Sequence, residues 1–192
     1  STTHKTLRGP RGAMILSRKP LARKINSAVF PNMQGGPMVH AIAAKAVAFA
    51  EAATPEFKAY TASIVSNAQA LAGALSNGGL RIVSGGTDNH LMLVDVSTRD
   101  MTGQEAEDAL SSAGIIANKN AIPFDPLPPR VTSGVRLGTP AITSRGMGTG
   151  DMDTVAGFIL EAISANGNDS TLTEIRGRVK KFASEFPVPG VS

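Results

Sequence analysis

The spacing of apolar residues predicts helices along most of the chain. Residues 41–53 hold eight alanines in thirteen positions, which favours a helix, and Pro37 can start it because a first turn does not need the missing N–H. Apolar side chains in 56–77 recur at steps of three and four, as on a buried helical face. The same spacing or capping residues predict further helices over 21–27, 102–113, 152–165 and 171–186.

Two of these helices are predicted to begin at a capping box. In such a box a threonine side chain and a glutamate side chain three residues later each accept a hydrogen bond from the other residue's backbone N–H. The pairs with this spacing are Thr102 with Glu105 and Thr171 with Glu174. We therefore expect helices to start at Thr102 and at Thr171.

Short apolar runs bounded by turn residues predict strands over 13–16, 80–83, 91–96, 115–117 and 134–137. Thr54-Pro55 interrupts the helical pattern, because proline restricts the residue before it. After that break, strands alternate with helices, which is the pattern of a compact α/β domain. Residues 121–130 contain four prolines and are predicted to form an extended loop.

Composition narrows the classes of function. Of the 192 residues, 42% are hydrophobic and 18% are charged, so the chain should fold around a core. Cysteine is absent, which excludes disulfides, thiolate chemistry and cysteine metal sites and fits a reducing, cytoplasmic compartment. No apolar run approaches the ~18 residues of a membrane span, and no signal peptide is visible.

The charge of the chain adds little to this picture. Its net charge is +4, but the basic residues are scattered, which argues against a nucleic-acid surface. The densest basic cluster, within 176–181, is interpreted as a solvated helix face. The chain opens at Ser1 without a methionine and inside a predicted turn-and-strand unit, so we expect a truncated or cleaved chain.

Lys5 is the sharpest candidate for covalent chemistry. A lysine amine forms an imine with an aldehyde cofactor when the lysine is held in place and readily deprotonated. Lys5 follows His4, lies among threonines and precedes Gly9-Pro10. The alternative is an ordinary exposed lysine near the chain terminus, and local composition alone favours that alternative.

A glycine loop before a helix is the second candidate. Gln34-Gly35-Gly36-Pro37 would expose backbone N–H groups, and the following helix would direct its positive end at the loop. These two features together make a phosphate or carboxylate site. A plain glycine turn is the alternative, which the local pattern alone favours. His40, one turn later, either touches the same anion or packs.

The third candidate is Arg136, which small residues surround in a predicted strand. A guanidinium there can hold a carboxylate through two parallel hydrogen bonds, and a structural salt bridge is an equally good interpretation. Asn118-Lys119-Asn120 precedes the proline-rich loop and offers amide donors and acceptors, or forms only a turn.

Taken in order, these segments resemble the serine hydroxymethyltransferase family. Residues 2–12 are similar to the family's cofactor-lysine segment. Later landmarks are similar as well, namely Val29-Phe30-Pro31, Gln34-Gly35-Gly36-Pro37, Asn118-Lys119-Asn120 and residues 132–141. The resemblance is specific because several separate blocks occur in the right order and spacing, and it spans the chain from Lys5 nearly to its end.

The resemblance implies an α/β protein of the fold-type I class of pyridoxal-phosphate-dependent transferases, related to aspartate aminotransferase. Residues 1–55 would complete the cofactor-binding large domain, and residues 56–192 would form the small C-terminal α/β domain. The implied reaction interconverts serine and tetrahydrofolate with glycine and 5,10-methylenetetrahydrofolate. The implied assembly is a homodimer or a higher homo-oligomer.

The resemblance also implies roles for individual residues. Lys5 would bind pyridoxal 5'-phosphate covalently, and Arg11 would lie near the cofactor pocket. Gly36, with Gly35 beside it, would hold the cofactor phosphate of the neighbouring subunit. Arg136 would bind the amino-acid carboxylate, and Asn120 would contact the folate.

Two alternatives to the complete enzyme follow from the same resemblance. The family's other active-site residues lie upstream of this chain, so the chain without that missing N-terminal half is expected to be catalytically incomplete. The other alternative is a different fold-type I enzyme, such as a threonine aldolase. Asn118-Lys119-Asn120 and the proline-rich loop argue against the aldolase.

Overall fold

The computed structural model describes residues 1–190 and divides the chain into two compact units, Ser1–Ala59 and Tyr60–Ser192. The boundary between the units falls inside helix α3, which runs from Pro55 to Asn77. The sequence pattern breaks a few residues earlier, at Thr54-Pro55. The assignment of residues 1–55 and 56–192 to a large and a small domain stays a prediction.

The first unit consists of a hydrogen-bonded N-terminal segment followed by helices. Helix α1 spans Lys19–Ser27, an irregular helical turn spans Ala28–Met33, and helix α2 spans Val39–Ala52. Helix α2 thus begins two residues after Pro37, the predicted start. The prediction of a helix within 21–27 is confirmed, and α1 extends it to Lys19.

The predicted strand over 13–16 is wrong. Only Ala13 pairs, in a single bridge with Thr2, and residues 1–14 close on themselves instead. Met14 and Ser1 exchange two backbone hydrogen bonds of 2.9 Å, and the Thr3 N–H donates to the Gly12 carbonyl at 3.0 Å. The apolar side chains of Ile15 and Leu16 misled the prediction, because both are mostly exposed.

The second unit contains a four-stranded sheet in which every neighbouring pair is antiparallel. The strand order is β1-β2-β4-β3. The strands are β1 (Arg81–Ile82), β2 (Leu91–Asp95), β3 (Asn118–Asn120) and β4 (Gly134–Gly138). The strands come in two consecutive pairs, β1-β2 and β3-β4, with a helix between the pairs, so the unit is a mixed α/β fold as the sequence predicts.

The predicted strand over 115–117 is displaced, and β3 follows it directly. Ile115 donates its N–H to the Leu110 carbonyl at 2.8 Å, so this residue still closes the end of the preceding helix. Ile116 is 88% exposed and buries nothing. The polar residues after it form the strand because β4 offers them backbone partners, Asn118 opposite Arg136 among them.

Four more helices complete the second unit, namely α4 (Gly103–Ser112), α5 (Pro140–Ser144), α6 (Met152–Ser164) and α7 (Asp169–Ser184). The capping box of Thr102 and Glu105 at the start of α4 is confirmed. The second predicted box is wrong. Asn168 caps α7 instead, and its side chain accepts the Thr171 N–H at 3.1 Å. Helix α5 was not predicted.

The core of the second unit lies between the sheet and its helices. Its largest fully buried side chains are Ile64, Leu71, Leu75, Met92, Leu110, Met152, Ile159 and Ile175. Among residues 1–190, no helix has both the length and the apolar character needed to cross a bilayer. The buried core beneath the sheet supports strands β4 and β3, which carry Arg136 and Asn120.

Candidate active site

The loop that carries Lys5 is held by hydrogen bonds from buried Thr3. The Thr3 side chain is completely buried and donates to the Pro10 carbonyl at 2.7 Å, and the Thr3 carbonyl accepts the Gly9 N–H at 2.7 Å. The Lys5 carbonyl accepts the Arg8 N–H at 2.9 Å and closes a turn. Lys5 is thus fixed at its backbone.

The side chain of Lys5 is exposed, and within residues 1–190 its ammonium forms neither a hydrogen bond nor an ion pair. The neighbouring His4 faces the same loop, with Nδ1 3.4 Å from the Gly12 nitrogen. A lysine with a fixed backbone and an uncommitted amine meets the geometric need of imine chemistry. An ordinary exposed lysine, the alternative interpretation, satisfies the same description.

Arg11 and the two residues that flank Gly35-Gly36 lie on one cleft of the first unit. Arg11, Gln34 and Pro37 line this cleft, whose volume is about 750 Å³. Among residues 1–190, and leaving aside each glycine and its two chain neighbours, no atom lies within 4 Å of the position that a Cβ would take at Gly35 or Gly36. The backbone there is open to a ligand, as an anion site before helix α2 requires. Lys5, Gly35 and Gly36 are not among the residues that line the cleft.

Arg136 lies in β4 with its side chain exposed. Its Nη2 donates to Oδ1 of Asn118 on the adjacent strand, over 3.3 Å. Among the residues that the structure describes, no carboxylate pairs with this guanidinium. The structural salt bridge is therefore not observed, and the guanidinium can take a carboxylate from outside these residues.

Asn118-Lys119-Asn120 is a strand, so the alternative interpretation of a turn is not observed. Helix α4 anchors this strand, because Glu107 accepts the Lys119 N–H at 3.2 Å and pairs with its ammonium at 3.5 Å. Asn120 lies opposite Gly134 on β4 and donates through Nδ2 to the Ala121 carbonyl at 2.8 Å. The structure thus brings Asn120, Asn118 and Arg136 together on two neighbouring strands.

Asp125 organises the loop between two candidate residues, and sequence reasoning missed it. It lies in the proline-rich loop between β3 and β4, and both of its carboxylate oxygens accept hydrogen bonds within that loop. The signal that could have found it is Asp125-Pro126, since an aspartate in a proline-containing loop commonly accepts the N–H two residues on. Leu127 makes that bond, at 2.9 Å.

The pKa of Asp125 reflects these bonds. Burial alone would raise it, but the Ser133 hydroxyl and three backbone N–H groups lower the pKa of Asp125 to about 2. An unfolded aspartate titrates near pH 3.9. Between those two values the unfolded chain binds a proton that the native chain does not bind, so acid favours the unfolded chain.

We therefore expect the stability that Asp125 contributes to be complete above about pH 4 and to be lost as the pH falls toward about 2. Asp125→Asn should flatten the pH dependence of the urea midpoint in this window, measured by circular dichroism from pH 5 to pH 2. Ser133→Ala, which removes one donor, should flatten it partly. Identical slopes in all three proteins would contradict the assignment.

Comparison with known proteins agrees with the resemblance found in the sequence. The family model described as serine hydroxymethyltransferase matches residues 1–159. A curated serine hydroxymethyltransferase of Myxococcus xanthus (strain DK1622) is 59% identical over 188 residues, which is 98% of this chain and 45% of the relative. The chain thus spans less than half the length of that curated relative.

These matches, with the mixed α/β fold, place the chain in the class of fold-type I pyridoxal-phosphate-dependent transferases. Within that class, the chain belongs to the serine hydroxymethyltransferase family. The alternative of a threonine aldolase is thereby not supported.

The residues of the first unit fit such a cofactor in their chemistry. Lys5 offers an amine without a partner among the described residues, and the backbone of Gly35 and Gly36 is open for a phosphate. Arg11 adds a positive charge on the cleft that Gln34 and Pro37, on either side of these glycines, also line. The second unit separately carries Arg136 and Asn120 on the neighbouring strands β4 and β3.

Proposed function

We propose that this chain forms part of a serine hydroxymethyltransferase, which transfers the hydroxymethyl carbon of serine to tetrahydrofolate and yields glycine and 5,10-methylenetetrahydrofolate. The observation that carries the proposal is Lys5, an uncommitted amine on a hydrogen-bonded loop inside the segment that matches the family. Because the chain spans 45% of its relative, we assign the activity to the full-length enzyme, meaning this chain joined to the upstream part found in the relatives.

We propose that the Lys5 amine would bind pyridoxal 5'-phosphate covalently at the cofactor's aldehyde carbon, and that Arg11 lies near the cofactor pocket. The cofactor, when bound, supplies an aromatic ring that accepts electrons as a bond at the amino-acid Cα breaks. The open backbone of Gly35 and Gly36 supports a role in holding the cofactor phosphate. Within this chain, the task of Lys5 is to fix the cofactor and to release it to the incoming amine.

Arg136 and Asn120 are proposed to bind the two substrates. The planar guanidinium of Arg136 would hold the carboxylate of serine or glycine, and this contact orients the amino acid so that one bond stands in the reactive direction. Asn120, on the neighbouring strand, would donate to or accept from tetrahydrofolate. Both groups act by binding and orienting.

We propose a homodimer or a higher homo-oligomer in which Gly35 and Gly36 serve the cofactor of the neighbouring subunit. A symmetric dimer uses the same surface on both copies. Support comes from the exposed apolar side chains of the first unit, four of which line one cleft, since contiguous exposure of this kind marks interaction surfaces. They include Ile15, Leu16, Phe30, Met33, Met38, Val39, Ile42 and Val47. A cytoplasmic location is proposed on the family alone.

The test is the conversion of serine to glycine by the full-length enzyme with added pyridoxal phosphate. Conversion should depend on tetrahydrofolate and should greatly exceed the cleavage of threonine. The 192-residue chain, assayed in parallel, should have no activity. Conversion that ignores tetrahydrofolate, with threonine as the preferred substrate, would instead favour the aldolase.

A further inference from the structure

The loop between β3 and β4 is organised around the carboxylate of Asp125. Its Oδ2 accepts the backbone N–H groups of Ile122 at 3.0 Å and of Ser133 at 2.8 Å. Its Oδ1 accepts the Leu127 N–H at 2.9 Å and the Ser133 hydroxyl at 2.6 Å. Four donors use the acceptor positions of both oxygens, which an ionised carboxylate can provide and a single amide oxygen cannot.

The two ends of this loop carry the proposed substrate residues. Ile122 follows Asn120 by two positions, and Ser133 precedes Arg136 by three. Asp125 therefore links the segment just after Asn120 to the segment just before Arg136. The backbone at Ser133 is also tied to the core, because the adjoining Thr132 carbonyl accepts the Gly103 N–H at the start of α4, at 2.8 Å.

Two residues with left-handed backbone lie next to Asp125 and Ser133. Phe124, just before Asp125, has φ 57°, and Thr132, just before Ser133, has φ 60°. Left-handed backbone is unfavourable for a bulky and for a β-branched residue. Such conformations persist where the surroundings over-determine them, and they concentrate at functional sites. The bonds between Asp125 and Ser133 supply that constraint here.

The charge of Asp125 has no cation beside it in the part of the chain that the structure describes. Asp95, the other aspartate whose pKa the fold lowers, pairs with Arg81 at 2.8 Å, whereas Asp125 relies on neutral N–H and O–H donors alone. A carboxylate that accepts four converging donors fixes the geometry of the loop, because its bonds tie three residues, Ile122, Leu127 and Ser133, to one group.

We propose that Asp125 is a positioning residue that sets the spacing between Asn120 and Arg136, and hence the affinity for both substrates. The proposal rests on the proposed function, since it takes those two residues as the folate and carboxylate contacts. Asp125 itself touches neither substrate. It acts through the loop, and its loss should loosen both binding residues together.

The test uses the full-length enzyme loaded with cofactor, and it measures binding as well as turnover. Dissociation constants for glycine and for tetrahydrofolate come from titration calorimetry, and KM and kcat come from the serine assay. Asp125→Ala should raise both dissociation constants and both KM values roughly 10- to 100-fold, because small displacements of orienting groups have effects of that size. The cofactor content per chain should not change.

Graded variants keep the test decisive if Asp125→Ala does not fold. Asp125→Asn retains one acceptor oxygen and should have a smaller effect, and Ser133→Ala should shift both affinities in the same direction. The matched control is Asp151→Asn. It removes a carboxylate that accepts the Gly148 N–H at 2.8 Å before α6, so it should lower the thermal midpoint and leave both affinities unchanged.

The outcomes separate the positioning proposal from the proposed function. Wild-type affinities in Asp125→Asn and Ser133→Ala, with only a lowered thermal midpoint, would overturn the positioning role and leave the enzyme assignment intact. A wild-type enzyme that binds neither glycine nor tetrahydrofolate would overturn both. A shift in one affinity without the other would overturn the claim that Asp125 sets the spacing of the pair.

Discussion

Lys5→Ala in the full-length enzyme should abolish the long-wavelength absorbance of lysine-bound pyridoxal phosphate, and serine turnover should fall by at least about 100-fold. The expectation follows from the position of Lys5, whose amine has no partner among residues 1–190 while its loop is pinned by buried Thr3. The loop geometry does not depend on the side chain, so the fold should survive. Absorbance spectra and circular dichroism of the purified variant measure both effects.

Two further variants separate the amine from its charge. Lys5→Arg keeps a cation but cannot form the covalent link, so it should lose the absorbance as fully as Lys5→Ala does. Lys24→Ala removes an exposed lysine of α1 and should leave the spectrum unchanged. A Lys5→Ala enzyme that retained the absorbance would contradict the assignment, since another amine would then hold the cofactor.

The helices were predictable because their signals are local. The apolar spacing over 56–77 gave a helix that the structure shows as Pro55–Asn77. Thr102 and Glu105 cap α4 as predicted, because both partners lie within one turn. The predicted start of α7 at Thr171 is wrong, although the signal there is also local. Asn168 lies three residues earlier, and the helix is capped there because the Asn168 carboxamide accepts the Thr171 N–H.

The strands were less predictable, because a strand depends on a partner that lies far away in sequence. Apolarity favoured 115–117, yet Ile116 is exposed and the polar residues after it pair with β4. Asn118 meets Arg136 across 18 residues of sequence. No local pattern reveals that contact, so neither the strand nor the arginine's partner could be read from spacing.

The residues of the candidate site also differ in whether the sequence pattern could identify them. Lys5, Gly36 and Arg136 stand in blocks whose order and spacing the sequence shows, so family resemblance could assign them roles. Asp125 belongs to no such block, and its function depends on donors up to eight residues away. A residue that positions others through a network is visible only when the hydrogen bonds themselves are known.

Arg136→Ala in the full-length enzyme should weaken the binding of serine and glycine by about 10- to 150-fold. This range corresponds to the loss of about 1.5–3 kcal/mol, typical for a hydrogen-bonded charged group. The guanidinium has no carboxylate partner among the described residues, so its removal leaves none of their carboxylates unpaired. Calorimetric titration with glycine measures the affinity, and absorbance should show unchanged cofactor content.

The contact between Arg136 and the substrate carboxylate can be tested by changing either partner. Arg136→Lys keeps the charge but not the planar fork, so it should recover only part of the affinity. Ethanolamine, which is serine without its carboxylate, should bind the wild type and Arg136→Ala equally, because the contact that the mutation deletes is already absent from that ligand. Arg176→Ala, an exposed arginine on α7, is the control and should bind glycine like the wild type. If Arg136→Ala weakened ethanolamine as much as glycine, Arg136 would be acting on the fold of β4 and not on the carboxylate.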